Sequence, residues 1–329
     1  MIHRKDLQDR IYILDGAMGT MLQSFCLKED DFRGMVFANH PVPLKGNYDV
    51  LNLTHPEMIS SIHQLYVRAG ADFITTNTFN SNIFSQRGYG LEKEVSDLAI
   101  CGAQIARTVA DECMEDTGRR VLVVGTLGPT SIPLSLVNDS NRNQVGGADF
   151  ETMTQAYMLQ AKNLLAGGAD LLLLETCYDV LTTRAALNAI ESLNGEMRAT
   201  IPVMISVTVD NRTGKTFIGQ NLDEFYAGIA SYPLLSFGIN CSCGILGLGA
   251  YIEHLAQNLP CYISFHPNAG LPNSQGKYEV TPDFMAKQME LLARKGCLNI
   301  VGGCCGTTPE HISALARAMR GIEPHMVNV

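Results

Sequence analysis

The 329-residue sequence has no tryptophan, no cluster of basic residues and no long apolar run. Its 24 lysines and arginines are outnumbered by 33 aspartates and glutamates, which gives a formal net charge of −9. Because nucleic-acid backbones are bound by clustered lysine and arginine, we expect no nucleic-acid partner. No stretch reaches the roughly 18 apolar residues of a membrane span, and residues 1–10 are too polar for a signal peptide. These absences predict a cytoplasmic protein with no membrane partner.

A disulfide framework is not expected either, although the sequence contains ten cysteines. In a cytoplasmic chain of this length, cysteines more commonly pack, bind metal or react. Hydrophobic residues make up 46% of the chain and charged residues 17%, which excludes disorder and allows a large aliphatic core. The length alone suggests two domains, but no linker, low-complexity tract or repeat is visible. We therefore predict one domain over residues 1–329.

Eight short apolar runs alternate with helix-length segments along the chain. They are Ile11–Leu14, Phe73–Thr76, Val121–Gly125, Leu171–Glu175, Val203–Val207, Ser236–Asn240, Tyr262–Phe265 and Asn299–Gly302. Apolar strands that alternate with helices indicate a parallel sheet covered by helices. Eight such units favour an α/β fold of the (β/α)₈ TIM barrel type. A doubly wound open sheet is the second choice, because it usually has fewer strands and a glycine-rich turn after the first.

The segment from about residue 23 to residue 53 is long and rich in polar and turn residues. Its residues show no regular apolar pattern, and it separates the first predicted strand from a helix that begins at Pro56. Loops that follow barrel strands lie on the catalytic face. We therefore predict that residues 23–53 form a long, irregular first βα loop on that face.

Three cysteines lie at the predicted ends of two strands, and all strand ends of a barrel open into one mouth. Cys241 follows the sixth strand, and the adjacent Cys304 and Cys305 follow the eighth. These strands are two positions apart in a barrel, so one metal ion is within reach of all three thiols. Three thiolates without a fourth protein ligand are typical of a zinc site with an open position. A structural zinc site has four ligands, often as two C-x-x-C pairs, and no C-x-x-C occurs here.

Other interpretations of these cysteines remain open. Cys304 and Cys305 are also compatible with small residues that fill a tight turn. The glycine-rich segment Gly302–Gly306 is compatible with a phosphate site. Cys243 lies two residues after Cys241 and competes with it as a ligand, although Cys241 is favoured because it lies at the strand end.

Two carboxylates are expected at the same mouth. Asp15 ends the first strand beside Gly16, where backbone N–H groups can approach a ligand. Glu175 follows four consecutive leucines, where a carboxylate has little structural purpose unless it pairs with arginine or binds a cation. The alternatives are that Asp15 caps the following helix, or that the two acids hydrolyse a glycosidic bond. His266, also at a strand end, either hydrogen bonds within the barrel or contacts substrate.

Motifs at the strand ends resemble those of the homocysteine S-methyltransferase family. They are Asp15-Gly16-Ala17-Met18-Gly19-Thr20, Glu175-Thr176, Gly238-Ile239-Asn240-Cys241 and Gly302-Gly303-Cys304-Cys305-Gly306-Thr307-Thr308-Pro309. Other segments look like the N-terminal homocysteine-binding module of cobalamin-dependent methionine synthases. They are Asp31-Phe32-Arg33-Gly34, Leu44-Lys45-Gly46-Asn47, Thr76-Asn77-Thr78-Phe79 and His266-Pro267-Asn268-Ala269-Gly270-Leu271-Pro272-Asn273. The resemblance runs from about Ile11 to Met319.

The resemblance implies a (β/α)₈ barrel in which Cys241, Cys304 and Cys305 hold Zn²⁺ and homocysteine is the substrate. It implies the following substrate-binding residues: Asp15, Gly16, Ala17, Glu175 and Asn240. In this assignment the two acids receive the amino group of homocysteine, and N–H groups near the first acid meet its carboxylate. Many relatives have a second glycine at residue 17, where this chain has alanine and keeps the N–H.

The implied chemistry follows from the acidity of thiols. A free thiol titrates near pH 8.5, so most homocysteine is protonated at pH 7. Binding of its sulfur to zinc releases the proton. Three cysteine thiolates around the same ion keep that sulfur electron-rich enough to attack a methyl group. The product would be methionine.

The sequence says less about the methyl donor than about the metal site or the methyl acceptor. The chain has no Asp-x-His-x-x-Gly cobalamin motif, so we expect methylcobalamin to arrive on another module or protein. A stand-alone enzyme that uses S-methylmethionine, S-adenosylmethionine or betaine is the alternative. A zinc- or thiol-binding module without turnover is a second alternative. With no tryptophan and few aromatic residues at strand ends, an aromatic cage for a sulfonium or quaternary ammonium donor is not expected.

Overall fold

A computed structural model describes residues 4–142, 144–242 and 244–327. Within these residues, eight parallel strands form one sheet. They are β1 (Tyr12–Ile13), β2 (Phe73–Thr75), β3 (Leu122–Leu127), β4 (Leu171–Cys177), β5 (Val203–Val207), β6 (Ser236–Cys241), β7 (Tyr262–Pro267) and β8 (Ile300–Val301). Each strand overlaps the apolar run predicted for it, so the predicted strand positions are confirmed.

Helices lie between the strands and cover the outside of the sheet. The α-helices of the described residues are α1 (Met18–Ser24), α2 (Glu29–Arg33), α3 (Leu51–Thr54), α4 (Pro56–Ala69), α5 (Ile83–Gln86), α6 (Val95–Thr117), α7 (Phe150–Ala166), α8 (Val180–Met197), α9 (Leu222–Ala227), α10 (Gly249–Asn258), α11 (Pro282–Arg294) and α12 (Pro309–Ala318). Helix α4 begins at a proline, whose fixed φ suits the first helical turn, and ends before Gly70 at a φ of +105°. In the described part of the chain, no helix is both long and apolar enough to cross a membrane.

The sheet closes into a barrel between β1 and β2. The strand order is β1-β8-β7-β6-β5-β4-β3-β2, so adjacent strands are consecutive in the chain except where β8, the last, pairs with β1, the first. The two ends meet at a bridge between Leu14 and Phe73. There the Asp15 N–H donates to the Phe73 carbonyl at 3.0 Å, and the Asp72 N–H donates to the Ile13 carbonyl at 2.7 Å. These contacts confirm the (β/α)₈ barrel and exclude the doubly wound sheet, whose strand order would reverse.

Alternate residues of each strand fill the barrel interior, because side chains of a strand point to opposite faces in turn. In β4, Leu171 and Leu173 belong to the inner cluster, whereas Leu172 and Leu174 pack against the helices. Each of these buried leucines contributes roughly 1.5–3 kcal/mol to stability. Glu175 occupies the next inward-facing position, which places its carboxylate at the mouth of the barrel.

The segment between β1 and α4 is long, as predicted, but it is not irregular throughout, since it contains α2 and α3. Glu29 organises it. Its carboxylate accepts the N–H groups of Leu44 and Lys45, both at 2.8 Å, and pairs with Arg33 at 2.7 Å. These contacts span about fifteen residues, so the polar composition of the segment does not reveal them.

Candidate metal centre and substrate pocket

Three cysteine side chains meet at the carboxyl end of the barrel. Cys241 ends β6, and Cys304 and Cys305 lie in the loop after β8. Their sulfur atoms all lie within 4.8 Å of one another, and the Sγ atoms of Cys241 and Cys305 are 3.9 Å apart. Sulfur ligands about 2.3 Å from a tetrahedral zinc ion are about 3.8 Å apart. The three sulfurs therefore have the spacing that one metal ion requires.

The backbone holds this cluster in an unusual conformation. Cys241 has a φ of +57°, in the left-handed region that residues other than glycine rarely adopt. Such strain persists where the surrounding structure enforces it, and it is common at functional sites. The Cys304 N–H donates to the Pro267 carbonyl, and the Ala269 N–H donates to the Cys305 carbonyl, both at 2.9 Å. These bonds fix the two adjacent cysteines to the end of β7.

The three thiols share negative charge unevenly. Hydrogen bonds from Cys241 and Cys304 lower the pKa of Cys305. The corresponding hydrogen bonds with Cys241 and Cys305 raise the pKa of Cys304 well above its ordinary value. At neutral pH, one thiolate is therefore stabilised by a neighbouring thiol. A divalent cation would replace the remaining thiol protons, so metal binding at this cluster is coupled to proton release.

Asp15 lies at the end of β1, where β2 fixes its carboxylate. Only 2% of the residue is exposed. The Thr75 N–H donates to Oδ2 at 2.9 Å, and the Thr75 hydroxyl donates to Oδ1 at 3.0 Å. Burial raises the pKa of Asp15 well above its ordinary value, because the charged form loses hydration. Helix α1 has Ala17 as its N-cap and no side-chain cap, so the interpretation of Asp15 as a helix cap is wrong.

Glu175 reaches the mouth from β4, and the imidazole of His266 lies 3.9 Å from its carboxylate. The Glu175 side chain is 17% exposed, and among the described residues no lysine or arginine forms an ion pair with it. Burial, and then the negative charge of Cys241, raise the pKa of Glu175 to about 7. A buried carboxylate without a counter-charge is stabilised by a cationic ligand. The arrangement therefore favours a ligand with an amino group.

A cavity of about 330 Å³ joins the cysteines to the two carboxylates. Its wall includes the backbone of Gly16 and Ala17. A side chain at Gly16 would come within 2.8 Å of Thr307 Oγ1 and of the Tyr66 ring, so only glycine fits. The Ala17 N–H donates to Thr307 Oγ1 at 3.1 Å, and a bound carboxylate would share this donor.

Loop residues complete the cavity wall. These loop residues include three aromatic side chains and one acid: Tyr48, Phe79, Tyr278 and Asp49. Tyr48 and Asp49 come from the long segment between β1 and α4. Phe79 comes from the loop after β2, and Tyr278 comes from the loop after β7. The sequence-based expectation concerned aromatic residues at strand ends, whereas these aromatic side chains come from the loops above them.

Two of the predicted residues lie behind the cavity wall. Asn240 is fully buried, and its amide donates to Thr176 Oγ1 at 2.8 Å and accepts the Thr176 N–H at 3.1 Å. The same amide nitrogen lies 3.8 Å from Cys304 Sγ, so Asn240 connects the end of β4 to the cysteines. His266 is fully buried inside the barrel and does not line the cavity. Cys243 lies outside the described residues.

Sequence reasoning missed three residues at this site. Thr75 orients Asp15, Thr307 accepts the Ala17 N–H, and Tyr278 lines the same cavity as the cysteines. The two-residue period of β2 places Thr75 on the inward face, so this residue was accessible to pattern analysis. The position of Tyr278, in a loop between β7 and α11, follows from no local pattern.

The chain is similar to proteins of known family and structure. The sequence profile of the homocysteine S-methyltransferase family matches residues 12–319. Among solved structures, the oxidized form of the homocysteine methyltransferase MmuM from Escherichia coli is similar, with a TM-score of 0.73 and 24% identity. The alignment covers 95% of this chain and 97% of that chain. The metallated form of MmuM gives a TM-score of 0.70 at 24% identity, over 94% of this chain and 96% of that one. At this identity the structural likeness establishes the fold.

Proposed function

This chain belongs to the homocysteine S-methyltransferase family and is a methyltransferase of the type that methylates homocysteine, and we propose that it uses zinc held by Cys241, Cys304 and Cys305. The observation that carries the proposal is the meeting of three sulfurs within 4.8 Å beside the cavity. Zinc bound there would lower the pKa of a substrate thiol, so that homocysteine binds as a thiolate near neutral pH.

The three cysteines have a second role in this proposal. Three thiolates around one divalent ion leave the centre with a net negative charge before substrate binds. They therefore keep electron density on the homocysteine sulfur, which must attack a methyl group. Asn240 supports this arrangement from behind, since its amide lies near Cys304 and holds Thr176 at the end of β4. We therefore assign Asn240 a positioning role and no direct contact with homocysteine.

We place the amino and carboxylate groups of homocysteine at the part of the cavity that Asp15 and Glu175 line. Asp15 and Glu175 supply two carboxylates, and in the described part of the chain no lysine or arginine pairs with Glu175, so the site suits an ammonium group. Thr75 holds Asp15 in place before the ligand arrives, which reduces the entropy lost on binding. Backbone N–H groups at Gly16 and Ala17 are the donors we assign to the substrate carboxylate.

For the methyl donor, we propose methylcobalamin carried by another module or protein. The support is the resemblance of several segments to cobalamin-dependent methionine synthases, together with the size of the cavity. A corrin ring is too large to share about 330 Å³ with homocysteine, so it would dock over the mouth. In that arrangement only the methyl group would enter the cavity.

A small cationic donor is the second candidate, and a specific observation favours it. Tyr48, Phe79 and Tyr278 line the cavity together with Asp49. Aromatic faces and a carboxylate are the groups that bind sulfonium and quaternary ammonium ions. S-methylmethionine, S-adenosylmethionine and betaine are the donors of this kind.

A donor assay tests the proposal. The zinc-loaded protein is incubated with homocysteine and, in turn, each of the four donors, and methionine is quantified by mass spectrometry. We expect slow transfer from free methylcobalamin, because an untethered carrier loses effective concentration. Little or no product is expected from the other three. Faster turnover with one of them would overturn the cobalamin assignment and leave homocysteine as acceptor. No product from any donor, with zinc and homocysteine still bound, would support a binding module.

A further inference from the structure

The loops after β1 and β8 are neighbours at the mouth of the barrel, because these two strands pair with each other. Residues 14–17, between β1 and α1, include Gly16 and Ala17, whose N–H groups we assign to the carboxylate of homocysteine. Residues 302–308, between β8 and α12, carry Cys304 and Cys305. A ligand that binds to both loops must span the distance between them. The spacing of the two loops therefore decides which length of ligand fits.

The Thr307 hydroxyl joins these two loops. Thr307 Oγ1 accepts the Ala17 N–H at 3.1 Å, and the same hydroxyl donates to the Cys304 carbonyl at 2.7 Å. Thr307 is fully buried, so both bonds form away from water, where a hydrogen bond is stronger. One side chain thus connects the backbone that we assign to the substrate carboxylate with the backbone of a proposed metal ligand.

The Thr307 side chain also fills the space between the two loops. A Cβ at Gly303 would lie 2.5 Å from Thr307 Oγ1 and 2.5 Å from Thr307 Cγ2. A Cβ at Gly16, in the other loop, would lie 2.8 Å from Thr307 Oγ1. Atoms that are not bonded do not pack at such distances, so the loops meet the threonine with glycine on both sides. The size of one side chain and its two hydrogen bonds together set how far apart the loops lie.

Tyr66 makes a second link between the same two loops. It belongs to α4, and its hydroxyl lies 3.1 Å from the Ala17 carbonyl oxygen and 3.4 Å from the Thr307 carbonyl oxygen. A phenol has a single proton, which it shares between these two acceptors. The Gly303 N–H adds a backbone bond to the Asp15 carbonyl at 3.2 Å. The loops therefore cannot move apart without breaking several bonds.

We propose that Thr307 is a positioning residue that fixes the spacing between the metal centre and the residues that bind the amino-acid end, so that the site selects homocysteine by its chain length. The inference rests on the proposed function, because it requires homocysteine to bind at both ends. Cysteine has the same thiol, amino and carboxylate groups and one methylene fewer. In a site of fixed spacing, cysteine satisfies one end but not both. Loss of the Thr307 hydroxyl would let the loops shift and would weaken this discrimination.

Substitutions T307V and T307S separate the hydroxyl from the methyl group. Valine keeps the shape of threonine and removes both hydrogen bonds, whereas serine keeps the hydroxyl and removes the methyl group. Affinities for homocysteine and cysteine are measured by calorimetric titration of the zinc-loaded proteins, with the zinc content checked after each titration. We expect the wild type and T307S to prefer homocysteine by about tenfold or more, as is typical for one methylene. T307V should reduce this preference by about fivefold or more, because each lost hydrogen bond is worth about that much.

The metal-free protein shows where the preference comes from. Without the metal ion the substrate thiol has no ligand position to fill, so the preference should be lost in the wild type as well as in T307V. The same preference in the zinc-loaded and metal-free wild type would overturn the proposal. It would assign the selectivity to the shape of the cavity and not to the spacing between its two ends.

Two further variants complete the comparison. Thr154 is buried on α7, and its hydroxyl donates to the Phe150 carbonyl at 2.8 Å, away from the cavity. T154V should therefore lose stability, as T307V does, and keep the preference of the wild type. Y66F removes the second link between the loops and should also reduce the preference, which tests the proposal even if T307V does not fold.

The outcomes that contradict the inference differ from those that contradict the proposed function. A full preference for homocysteine in both T307V and Y66F would overturn the role of Thr307. Loss of the preference in T307S would overturn it as well, because the effect would then belong to the methyl group. A zinc-loaded wild type that binds homocysteine and cysteine equally would overturn the inference and leave homocysteine as a ligand. A wild type that binds neither amino acid would overturn both.

Discussion

His266 Nδ1 lies 3.9 Å from Glu175 Oε1, below the mouth of the barrel. Among the described residues, neither ring nitrogen of His266 has a hydrogen-bond partner. Burial lowers the pKa of His266 to about 4 and raises that of Glu175 to about 7. Both groups are therefore shifted toward their neutral forms and do not form a salt bridge with each other. An ammonium group in the cavity would shift Glu175 back toward its charged form.

The raised pKa of Glu175 predicts a pH-dependent stability. Between about pH 4.5 and pH 7, the folded metal-free protein keeps a proton on Glu175 that the unfolded chain has lost. The free energy of unfolding should therefore fall as pH rises through this window, by on the order of 1.4 kcal/mol per pKa unit at most. Denaturant unfolding of the wild type and of E175Q, at about pH 5 and about pH 7.5, checks this. Relative to the wild type, E175Q should become more stable at the higher pH.

The titration of His266 is the reason for comparing the stability of the wild type with that of E175Q. Its pKa is lowered by burial, so its own contribution makes the folded protein more stable as pH rises from about 4 to its ordinary 6.5. This slope opposes that of Glu175 and is present in both proteins. A stability difference that is the same at both pH values would contradict the shift assigned to Glu175.

The cysteine cluster predicts about one zinc ion per chain, lost in C241S, C304S and C305S. Metal analysis of the purified variants is the measurement. C101S alters a cysteine of helix α6, outside the cluster, and should retain zinc. C243S should also retain zinc, and loss of zinc in this variant would mean that Cys243, and not Cys241, is the ligand. Full retention in any of the three cluster variants would remove that residue from the ligand set.

Asp15 and Glu175 are predicted to bind the amino group of homocysteine. D15N and E175Q should weaken homocysteine binding about tenfold to a hundredfold, because a hydrogen bond to a charged group contributes roughly 1.5–3 kcal/mol. Zinc should remain bound in both variants. Calorimetric titration with homocysteine, and with an analogue that lacks the amino group, is the measurement. The wild type should prefer homocysteine and the variants should not, and an equal preference in all three proteins would exclude the amino-binding role.

Gly16 and Gly19 offer a matched pair of substitutions. Alanine at Gly16 would place Cβ 2.8 Å from Thr307 Oγ1 and from the Tyr66 ring, whereas at Gly19 the nearest atom is 3.9 Å away. We expect G16A to lower the free energy of unfolding by about 1–3 kcal/mol and to weaken homocysteine binding. Since Gly19 lies in helix α1, G19A should leave stability unchanged or raise it by up to about 1 kcal/mol. Denaturant unfolding of both variants checks this, and equal effects would show that space at Gly16 is not limiting.

The fold and the cysteine cluster are accessible from sequence because both follow from local patterns and a general rule. Apolar runs of strand length alternate with helices, and the carboxyl ends of parallel barrel strands share one mouth. The proximity of Cys241 and Cys304 could therefore be predicted, although they are 63 positions apart in the chain. The same rule placed Asp15 and Glu175 at this mouth. The structure agrees with these placements, while their roles in binding remain predictions.

Only the tertiary structure decided how these side chains are oriented. The hydrogen bond from Thr75 to Asp15 joins residues 60 positions apart, and that from Asn240 to Thr176 joins residues 64 apart. No local pattern encodes such pairs, because each depends on the register of neighbouring strands. The same register buried Asn240 behind the cavity and left Glu175 in it. Tyr278 lines the cavity from a loop that is held by the bond from the Val280 N–H to the Ala269 carbonyl and by the bond from His311 to the Val280 carbonyl, and the sequence of the loop specifies neither bond.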